Sequence, residues 1–180
     1  DLAESMLQVA VEKAARMGLS NVEFKEADAN ALPFPDHSFD AVSCRLGYMF
    51  FPDMAQAARE MARVLKPGGR IATTVWAEPA KNPFAMCTFD AIARHIAPPP
   101  PPPGAPGLFR CAQPGMIMEL FRAAGLRDVS ERDVPCRLPA ASPEQYWQWQ
   151  TEVAAPVVAA LANADAETVA RVRADVIATV

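Results

Sequence analysis

Apolar positions along the chain alternate between helical spacing and short continuous runs, a pattern that is typical of an α/β protein. Residues 4–17 carry apolar side chains at three- and four-residue steps, which predicts an amphipathic helix that ends at Gly18. Residues 22–25 and 39–45 are short apolar runs, and we predict that both are strands. The second run is apolar on both faces, which favours a strand buried within a parallel sheet.

The middle of the chain continues this alternation of helix and strand. Asp53 is the predicted N-cap of a helix, with Gln56 three residues later as in a capping box. The apolar face of that helix comprises Ala57, Ala58, Met61, Val64 and Leu65. The helix is predicted to end before Pro67, and residues 70–76 are rich in β-branched side chains that predict a third strand. A strand, a helix and a strand in succession imply a parallel sheet.

The second half of the chain is richer in predicted helices. Residues 84–96 predict a helix, and the six prolines of residues 98–103 predict an extended polyproline II or turn segment. We interpret that segment as a stiff loop rather than as a ligand for a proline-binding domain, because it lacks flanking basic residues. The later elements are helices that begin at Pro114, Ser142 and Asp165 and a weaker strand over residues 126–134.

Composition excludes several classes of function. The 180 residues are 51% hydrophobic with a formal net charge of −4, and no basic stripe predicts nucleic-acid binding. No apolar run approaches the roughly 20 residues that a membrane-spanning helix needs. The four cysteines lie far apart and neither histidine has metal-ligand spacing, so we predict no metal site. Reduced thiols and the lack of a secretion signal indicate a cytoplasmic protein.

Four short motifs occur in a fixed order within the first 80 residues. They are the opening Asp1-Leu2-x-x-x-Met6-Leu7, the loop Asp28-Ala29-x-x-Leu32-Pro33-Phe34-Pro35-Asp36-x-x-Phe39-Asp40, the helix start Phe51-Pro52-Asp53 and the turn Leu65-Lys66-Pro67-Gly68-Gly69-Arg70. None is specific by itself. Together they resemble the class I S-adenosylmethionine-dependent methyltransferases, and more narrowly the branch that includes the ubiquinone/menaquinone-biosynthesis C-methyltransferases.

The resemblance implies a fold and a domain organisation. It implies an α/β fold, with a Rossmann-like, mostly parallel sheet that has helices on both faces and is incomplete at both ends, plus a helical cap. Residues 1–77 and 108–139 would form the partial methyltransferase core. Residues 78–107 would form an inserted cap helix with its proline-rich loop, and residues 140–180 a C-terminal helical insertion. The glycine-rich loop and the last strand of the family are expected to lie outside these 180 residues.

The resemblance also implies a site for S-adenosylmethionine. Asp1 would accept hydrogen bonds from both ribose hydroxyls, a charge-assisted pair, and Leu2 would pack against the adenine face. Asp28 would accept from the adenine amino group, and the backbone of Ala29 would meet a ring nitrogen. Arg45, at the end of the second predicted strand, would meet the methionine part. Without the resemblance, Asp28 could equally start a turn and Arg45 could equally form a surface ion pair.

The implied function is methyl transfer to a small, apolar acceptor at oxygen or carbon. Two residues are candidates for a general base, Tyr48 and His95, although Tyr48 could instead line a pocket and His95 could be a packing histidine. One alternative is a Rossmann-type enzyme that uses NAD, which would require G-x-G-x-x-G before the first helix. Another is a catalytically inactive, methyltransferase-like binding module. The sequence carries no indication of an oligomeric state.

The expected absence of the central strand generates a first prediction. The neighbours of that strand would lack a pairing partner, so we expect these 180 residues alone to bind S-adenosylmethionine weakly or not at all. Isothermal titration calorimetry on the 180-residue chain measures this directly, and micromolar affinity would contradict it.

Overall fold

The computed structural model describes residues 1–96, 102 and 104–180, and these divide into two compact units. The first unit comprises Asp1–Val75 and Pro106–Glu131, and the second comprises Trp76–Ala105 and Arg132–Val180. Most of the predicted polyproline segment lies outside the described residues. Of the helices that are described, none is both long enough and apolar enough to span a bilayer.

Helices dominate the described residues, with two strands between the first helices. In chain order the elements are α1 (Glu4–Arg16), β1 (Phe39–Arg45), α2 (Met54–Val64), β2 (Leu65–Thr74), α3 (Pro83–His95), α4 (Met116–Ala123), α5 (Pro143–Val153), α6 (Ala155–Leu161) and α7 (Ala166–Thr179). Single turns of 3-10 helix lie at Tyr48–Phe50 and Pro79–Lys81. Every helix predicted from apolar periodicity is therefore confirmed.

Strands β1 and β2 pair in parallel, which confirms the predicted strand direction. Cys44 aligns with Thr73, and the Thr73 hydroxyl donates to the Cys44 carbonyl at 2.8 Å. A register shift lies between Phe39 and Ala41 at the start of β1. The order β1–α2–β2 supplies the crossover connection that a parallel pair requires.

Two predicted strands are wrong, because residues 22–25 and 126–134 form no strand. A strand is stable only when a neighbour satisfies its backbone groups, and no described strand pairs with either segment. The prediction that residues 39–45 are buried on both faces is also wrong. Strand β1 mixes half-buried and exposed positions, because within the described chain it belongs to a sheet of only two strands.

Helix α2 packs its apolar face into the first unit, as predicted. Its buried side chains are Ala57, Ala58, Met61 and Val64. The Asp53 carboxylate accepts a hydrogen bond from the Gln56 N–H at 2.8 Å, which confirms the N-cap. The reciprocal half of the capping box is not formed, because the Gln56 amide donates to the Asn30 carbonyl at 3.3 Å instead.

The bounds of two elements differ from the predictions by a few residues. Strand β2 begins at Leu65, directly after α2, rather than at residue 70. A Cβ atom at Gly69 would lie 2.9 Å from the Lys66 carbonyl oxygen, so only glycine fits this irregular start of the strand. Helix α4 begins at Met116 rather than at Pro114, because Gly115 takes a left-handed conformation with φ +84°.

Helix α1 forms as predicted and ends at Arg16, and Gly18 just beyond it has a φ of +66° that matches a C-terminal glycine cap. Its apolar stripe is less covered than the pattern suggests. Met6 and Val9 are 62% and 60% exposed, and Ala14 is the residue of this helix that is buried. Amphipathic spacing predicts a helix, but it does not supply the surface against which the apolar face would pack.

The second unit is built from helices around one apolar core. The buried residues of that core are Ala91, Ile92, Tyr146, Val157, Val172 and Val176. The Tyr146 hydroxyl lies 2.8 Å from the Thr88 hydroxyl and 3.1 Å from the Cys87 sulfur, and it also bonds the Phe84 carbonyl. This network satisfies buried polar groups that would otherwise destabilise the core.

The predicted N-caps of the second unit are confirmed. The Ser142 hydroxyl accepts from the Gln145 N–H at 3.2 Å, and the Asp165 carboxylate accepts from the Thr168 N–H at 2.7 Å. Pro156 lies in the first turn of α6, where its missing N–H leaves no helical bond unmade. Residues close in sequence make each of these contacts, which is why the sequence pattern predicts them.

The core of the second unit generates a stability prediction. We expect Ile92→Ala to lower the free energy of unfolding by about 2–5 kcal/mol, because it leaves a cavity at a side chain that is 3% exposed. The matched control is Val153→Ala, at a position 79% exposed, which should change the free energy by less than about 0.5 kcal/mol. All three tryptophans belong to this unit, so urea unfolding followed by tryptophan fluorescence reports it selectively. Equal effects of the two changes would contradict the packing.

Candidate functional site

The start of the chain lies beside the segment that leads into Asp28. The Ala27 N–H donates to the Asp1 carbonyl at 3.1 Å, and the Asp1 backbone nitrogen donates to the Lys25 carbonyl at 3.4 Å. These bonds join residues that are more than 20 positions apart in the sequence. The structure therefore brings together Asp1, Leu2, Asp28 and Ala29, the four residues predicted to contact the nucleoside.

Asp28 is ordered by a local turn that leaves hydrogen-bonding capacity unused. Its Oδ1 accepts from the Asn30 N–H at 2.9 Å, and its carbonyl accepts from the Ala31 N–H at 3.0 Å. Within the described residues, Asp28 Oδ2 and the Ala29 N–H have no hydrogen-bond partner. One acceptor and one donor thus stand on neighbouring residues of an ordered loop.

Asp1 and Leu2 show a similar combination of order and exposure. The Asp1 carboxylate accepts from the Ala3 N–H at 3.0 Å through Oδ1, and its Oδ2 has no partner among the described residues. Leu2 is 62% exposed. Both residues are therefore accessible to a ligand.

Arg45 lies at the carboxyl end of β1, followed by strained backbone. Arg45 is exposed, and its guanidinium has no ion-pair partner among the described residues. Leu46 has a φ of +52°, a left-handed conformation that costs a non-glycine residue about 1–2 kcal/mol. The Leu46 N–H donates to the Thr74 carbonyl at 2.9 Å, which holds it there. Ligands of open α/β sheets bind beyond the carboxyl ends of strands, where this strain occurs.

Tyr48 is placed as a packing residue rather than as a base. Its side chain is fully buried, and its hydroxyl donates to the Met54 carbonyl at 2.7 Å. Its ring meets the rings of Phe51 and Phe121 edge to face, with centroids 5.3 Å and 5.7 Å away. Burial raises the pKa of the Tyr48 phenol well above its usual value, so it stays protonated at neutral pH. A general base must accept a proton, which this environment opposes.

His95 belongs to the second unit, whereas the other predicted site residues belong to the first. Its Nε2 lies 3.0 Å from Oδ2 of Asp175 on α7, and Arg94 Nη1 lies 3.4 Å from the same oxygen. The half-buried imidazole thus joins α3 to α7. This contact agrees with the packing interpretation of His95.

The sequence analysis overlooked two residues of α2 that hold the loop before β1. The Glu60 carboxylate accepts from the Leu32 N–H at 2.8 Å, and the Arg63 guanidinium donates to the Leu32 and Phe34 carbonyls at 3.0 Å and 2.8 Å. Hydrogen bonds from Arg63 hold the pKa of the Glu60 carboxyl below its usual range. Glu60 and Arg63 form a common helical i,i+3 pair. Their spacing in the sequence therefore does not indicate that they also bond the backbone of the loop.

Comparison with known proteins bears on what the site binds. Residues 1–73 match the family model described as a methyltransferase domain. This match supports a resemblance to the class I S-adenosylmethionine-dependent methyltransferases. The match spans Asp1, Asp28 and Arg45, and it favours the methyltransferase interpretation over an NAD-dependent enzyme. Among the described residues, no group of three or more histidine, cysteine or acidic side chains could hold a metal ion.

The relatives support the same family. The ubiquinone/menaquinone biosynthesis C-methyltransferase UbiE of Escherichia coli K12 is 40% identical over 99 residues, which cover 54% of this chain and 39% of UbiE. The chain thus spans about two fifths of the length of the curated relatives it matches. Among solved structures, the YcgJ protein from Bacillus subtilis aligns with a TM-score of 0.57 at 26% identity, over 93% of this chain and 68% of YcgJ.

A second structural relative carries information about the fold alone. The [4+2]-cyclase SpnF aligns with a TM-score of 0.55 at 24% identity, over 97% of this chain and 57% of SpnF. Its name describes a cyclase, so the fold by itself does not determine the reaction. The fold class predicted from the sequence, a Rossmann-like α/β fold with a parallel sheet, is confirmed.

The buried hydroxyl of Tyr48 generates a prediction. We expect Tyr48→Phe to leave the pH dependence of any methyl transfer unchanged, because the protonated phenol takes no part in proton transfer. The free energy of unfolding should fall by about 0.5–1.5 kcal/mol through loss of the bond to Met54. Activity profiles between pH 6 and pH 9 and urea unfolding measure the two effects, and loss of one limb of the profile would restore Tyr48 as a base candidate.

Proposed function

We propose that the protein containing these residues transfers a methyl group from S-adenosylmethionine to a small, apolar acceptor at oxygen or carbon. The observation that carries the proposal is the pair of unused hydrogen-bonding groups on the ordered turn at Asp28 and Ala29. The family match over residues 1–73 supports the choice of cofactor. The relatives named as C-methyltransferases support the class of reaction.

The turn at Asp28 is complementary to one edge of adenine. Adenine presents an amino donor next to a ring-nitrogen acceptor. The free carboxylate oxygen of Asp28 would accept from the amino group, and the Ala29 N–H would donate to the ring nitrogen. Leu2, with its exposed side chain, would cover the adenine face. A carboxylate opposite the amino group would also reject a base that carries a carbonyl at that position.

Two further residues would bind the remaining parts of the cofactor. Asp1 would accept from both ribose hydroxyls, and its backbone bonds to Lys25 and Ala27 would keep it near Asp28. Arg45 offers an exposed guanidinium at the end of β1, where it would pair with the methionine carboxylate. The left-handed conformation of Leu46 would direct the backbone after β1 toward the ligand.

When bound, S-adenosylmethionine supplies a methyl group on a sulfonium leaving group. The residues of this chain would bind and orient the two reactants, and alignment of the reactants in a dry pocket provides most of the acceleration for an in-line displacement. Phe50, which follows Arg45 closely and is 51% exposed, would present an apolar surface to the acceptor. Tyr48, buried beside it, would support that surface without exchanging a proton.

We also propose that the protein works in the cytoplasm on a small molecule. All four cysteines are free, which suits a reducing compartment. The net charge of −4 gives no attraction for nucleic acid. The same site would serve a catalytically inactive module that only binds the cofactor. Methyl transfer from labelled S-adenosylmethionine to panels of phenols, quinones and small acids, with the complete gene product, separates the enzyme from such a module.

The adenine contact generates a binding prediction. We expect Asp28→Ala to weaken binding of S-adenosylhomocysteine about 10- to 100-fold, because it removes a hydrogen bond to a charged acceptor. The matched control is Asp40→Ala, which removes an exposed carboxylate that pairs with Lys66. Isothermal titration calorimetry on the complete gene product measures both affinities. An unchanged affinity in Asp28→Ala would remove Asp28 from the proposed site.

A further inference from the structure

All three guanidinium nitrogens of Arg63, on α2, donate hydrogen bonds. Its Nε donates to Glu60 Oε1 at 2.8 Å and its Nη2 donates to Glu60 Oε2 at 2.7 Å. Two parallel charge-assisted bonds of this kind fix the orientation of both side chains. The pair is only partly exposed, with 30% of the Arg63 side chain and 13% of the Glu60 side chain accessible. We call this pair of side chains the Glu60–Arg63 fork, and it is a rigid feature on one side of α2.

The same fork holds the backbone of Leu32 at both of its polar groups. The Leu32 N–H donates to Glu60 Oε2 at 2.8 Å, and the Leu32 carbonyl accepts from Arg63 Nη2 at 3.0 Å. Arg63 Nη1 reaches further along the loop, to the Phe34 carbonyl and to Asp36 Oδ1, each at 2.8 Å. One guanidinium thus contacts three positions of the loop.

The loop has few other ways to satisfy its backbone. Pro33 and Pro35 lack the N–H group, so the segment cannot form a regular helix or pair as a central strand. The carbonyls that precede these prolines belong to Leu32 and Phe34, and both accept from Arg63. The other bonds of this stretch are local, from the Phe34 N–H to the Leu32 carbonyl at 2.8 Å and from the Ser38 hydroxyl to the Pro35 carbonyl.

A short chain of bonds joins the fork to Asp28. Leu32 follows Ala31, whose N–H donates to the Asp28 carbonyl at 3.0 Å. The Asn30 side chain donates to the Asp53 carbonyl at 2.6 Å, at the start of α2. The turn that carries Asp28 is therefore tied to α2 at its middle by Asn30 and at its end by Leu32. A shift of Leu32 would therefore be passed to Asp28 through Ala31.

We propose that the Glu60–Arg63 fork is a positioning device that sets the preference of the site for adenine over other purine bases. The inference rests on the proposed function, because it requires that the Asp28 turn reads the base. The fork touches no part of the ligand. It acts by holding Leu32, and through Leu32 the acceptor on Asp28 and the donor on Ala29, at the spacing that the adenine edge needs.

The test compares two ligands that differ at one position of the base. S-adenosylhomocysteine carries the adenine amino group, and S-inosylhomocysteine carries a carbonyl in its place. The affinities of the complete gene product for both are measured by isothermal titration calorimetry, and their ratio is the readout. A purely structural role of Arg63 lowers the folded fraction and weakens both ligands equally, so it leaves the ratio unchanged.

The variants are Arg63→Gln, Arg63→Lys and Glu60→Gln, with Arg59→Gln as the matched control. Arg59 lies on the same helix, and its guanidinium bonds the Gln56 side chain of that helix at 2.8 Å and 3.0 Å. We expect the unmodified protein to prefer adenine about 10-fold or more, since a carbonyl opposite Asp28 leaves its carboxylate unpaired. Arg63→Gln should lower that preference at least about 5-fold, and Arg59→Gln should change it less than about 2-fold.

The other two variants separate charge from geometry. Arg63→Lys keeps the charge but cannot reach several acceptors at once, so its preference should lie between the unmodified protein and Arg63→Gln. Glu60→Gln keeps the shape of the side chain and should also lower the preference, which tests the fork even if Arg63→Gln does not fold. Faster amide hydrogen exchange at Leu32 in these variants would locate the change in the loop.

Two failures are distinguishable in this experiment. A clear adenine preference that survives in Arg63→Gln and Glu60→Gln overturns the positioning role and leaves the proposed function standing. Equal binding of both ligands by the unmodified protein shows that Asp28 does not recognise the adenine amino group. That result overturns the positioning role of the fork as well.

Discussion

The loop before β1 keeps its shape because one side-chain pair on α2 satisfies its backbone. Pro33 and Pro35 remove two donors from this loop, and a backbone without regular partners is stable only if other groups bond its polar atoms. Glu60 and Arg63 do so at Leu32 and beyond. The pair in turn depends on α2, whose buried face anchors it in the first unit. These contacts hold Leu32, which directly follows the turn that carries Asp28.

The side chains of the candidate site are held in place but keep hydrogen-bonding atoms that no described residue occupies. Asp1 and Asp28 are each held by a local turn through one carboxylate oxygen, which leaves the other available. Leu46 adds a strained conformation at the end of β1. A left-handed conformation is costly for a non-glycine residue, and Leu46 lies beyond the carboxyl end of a strand, where ligands of α/β proteins bind. The family match over the same residues makes S-adenosylmethionine the natural candidate.

The two units of the chain differ in how they are stabilised. The first depends on bonds between distant segments, such as those from α2 to the loop. The second depends on apolar packing of helices around Tyr146, with a small polar network inside it. Relatives of the first unit are recognisable from sequence, whereas the fold alone also accommodates a protein named as a cyclase. Function therefore has to be argued from the site rather than from the architecture.

The sequence by itself determined the helices, their caps and the parallel direction of β1 and β2, because these depend on residues close in the chain or on a short crossover. Motifs in a fixed order also carried the resemblance to the methyltransferases, which the match over residues 1–73 supports. Tertiary structure decided the rest. Residues 22–25 and 126–134 have strand-like composition but no described partner, and pairing is a property of two segments. Burial made Tyr48 a packing residue, and long-range contacts gave Arg63 its role. No local pattern records which distant carbonyl a guanidinium will reach.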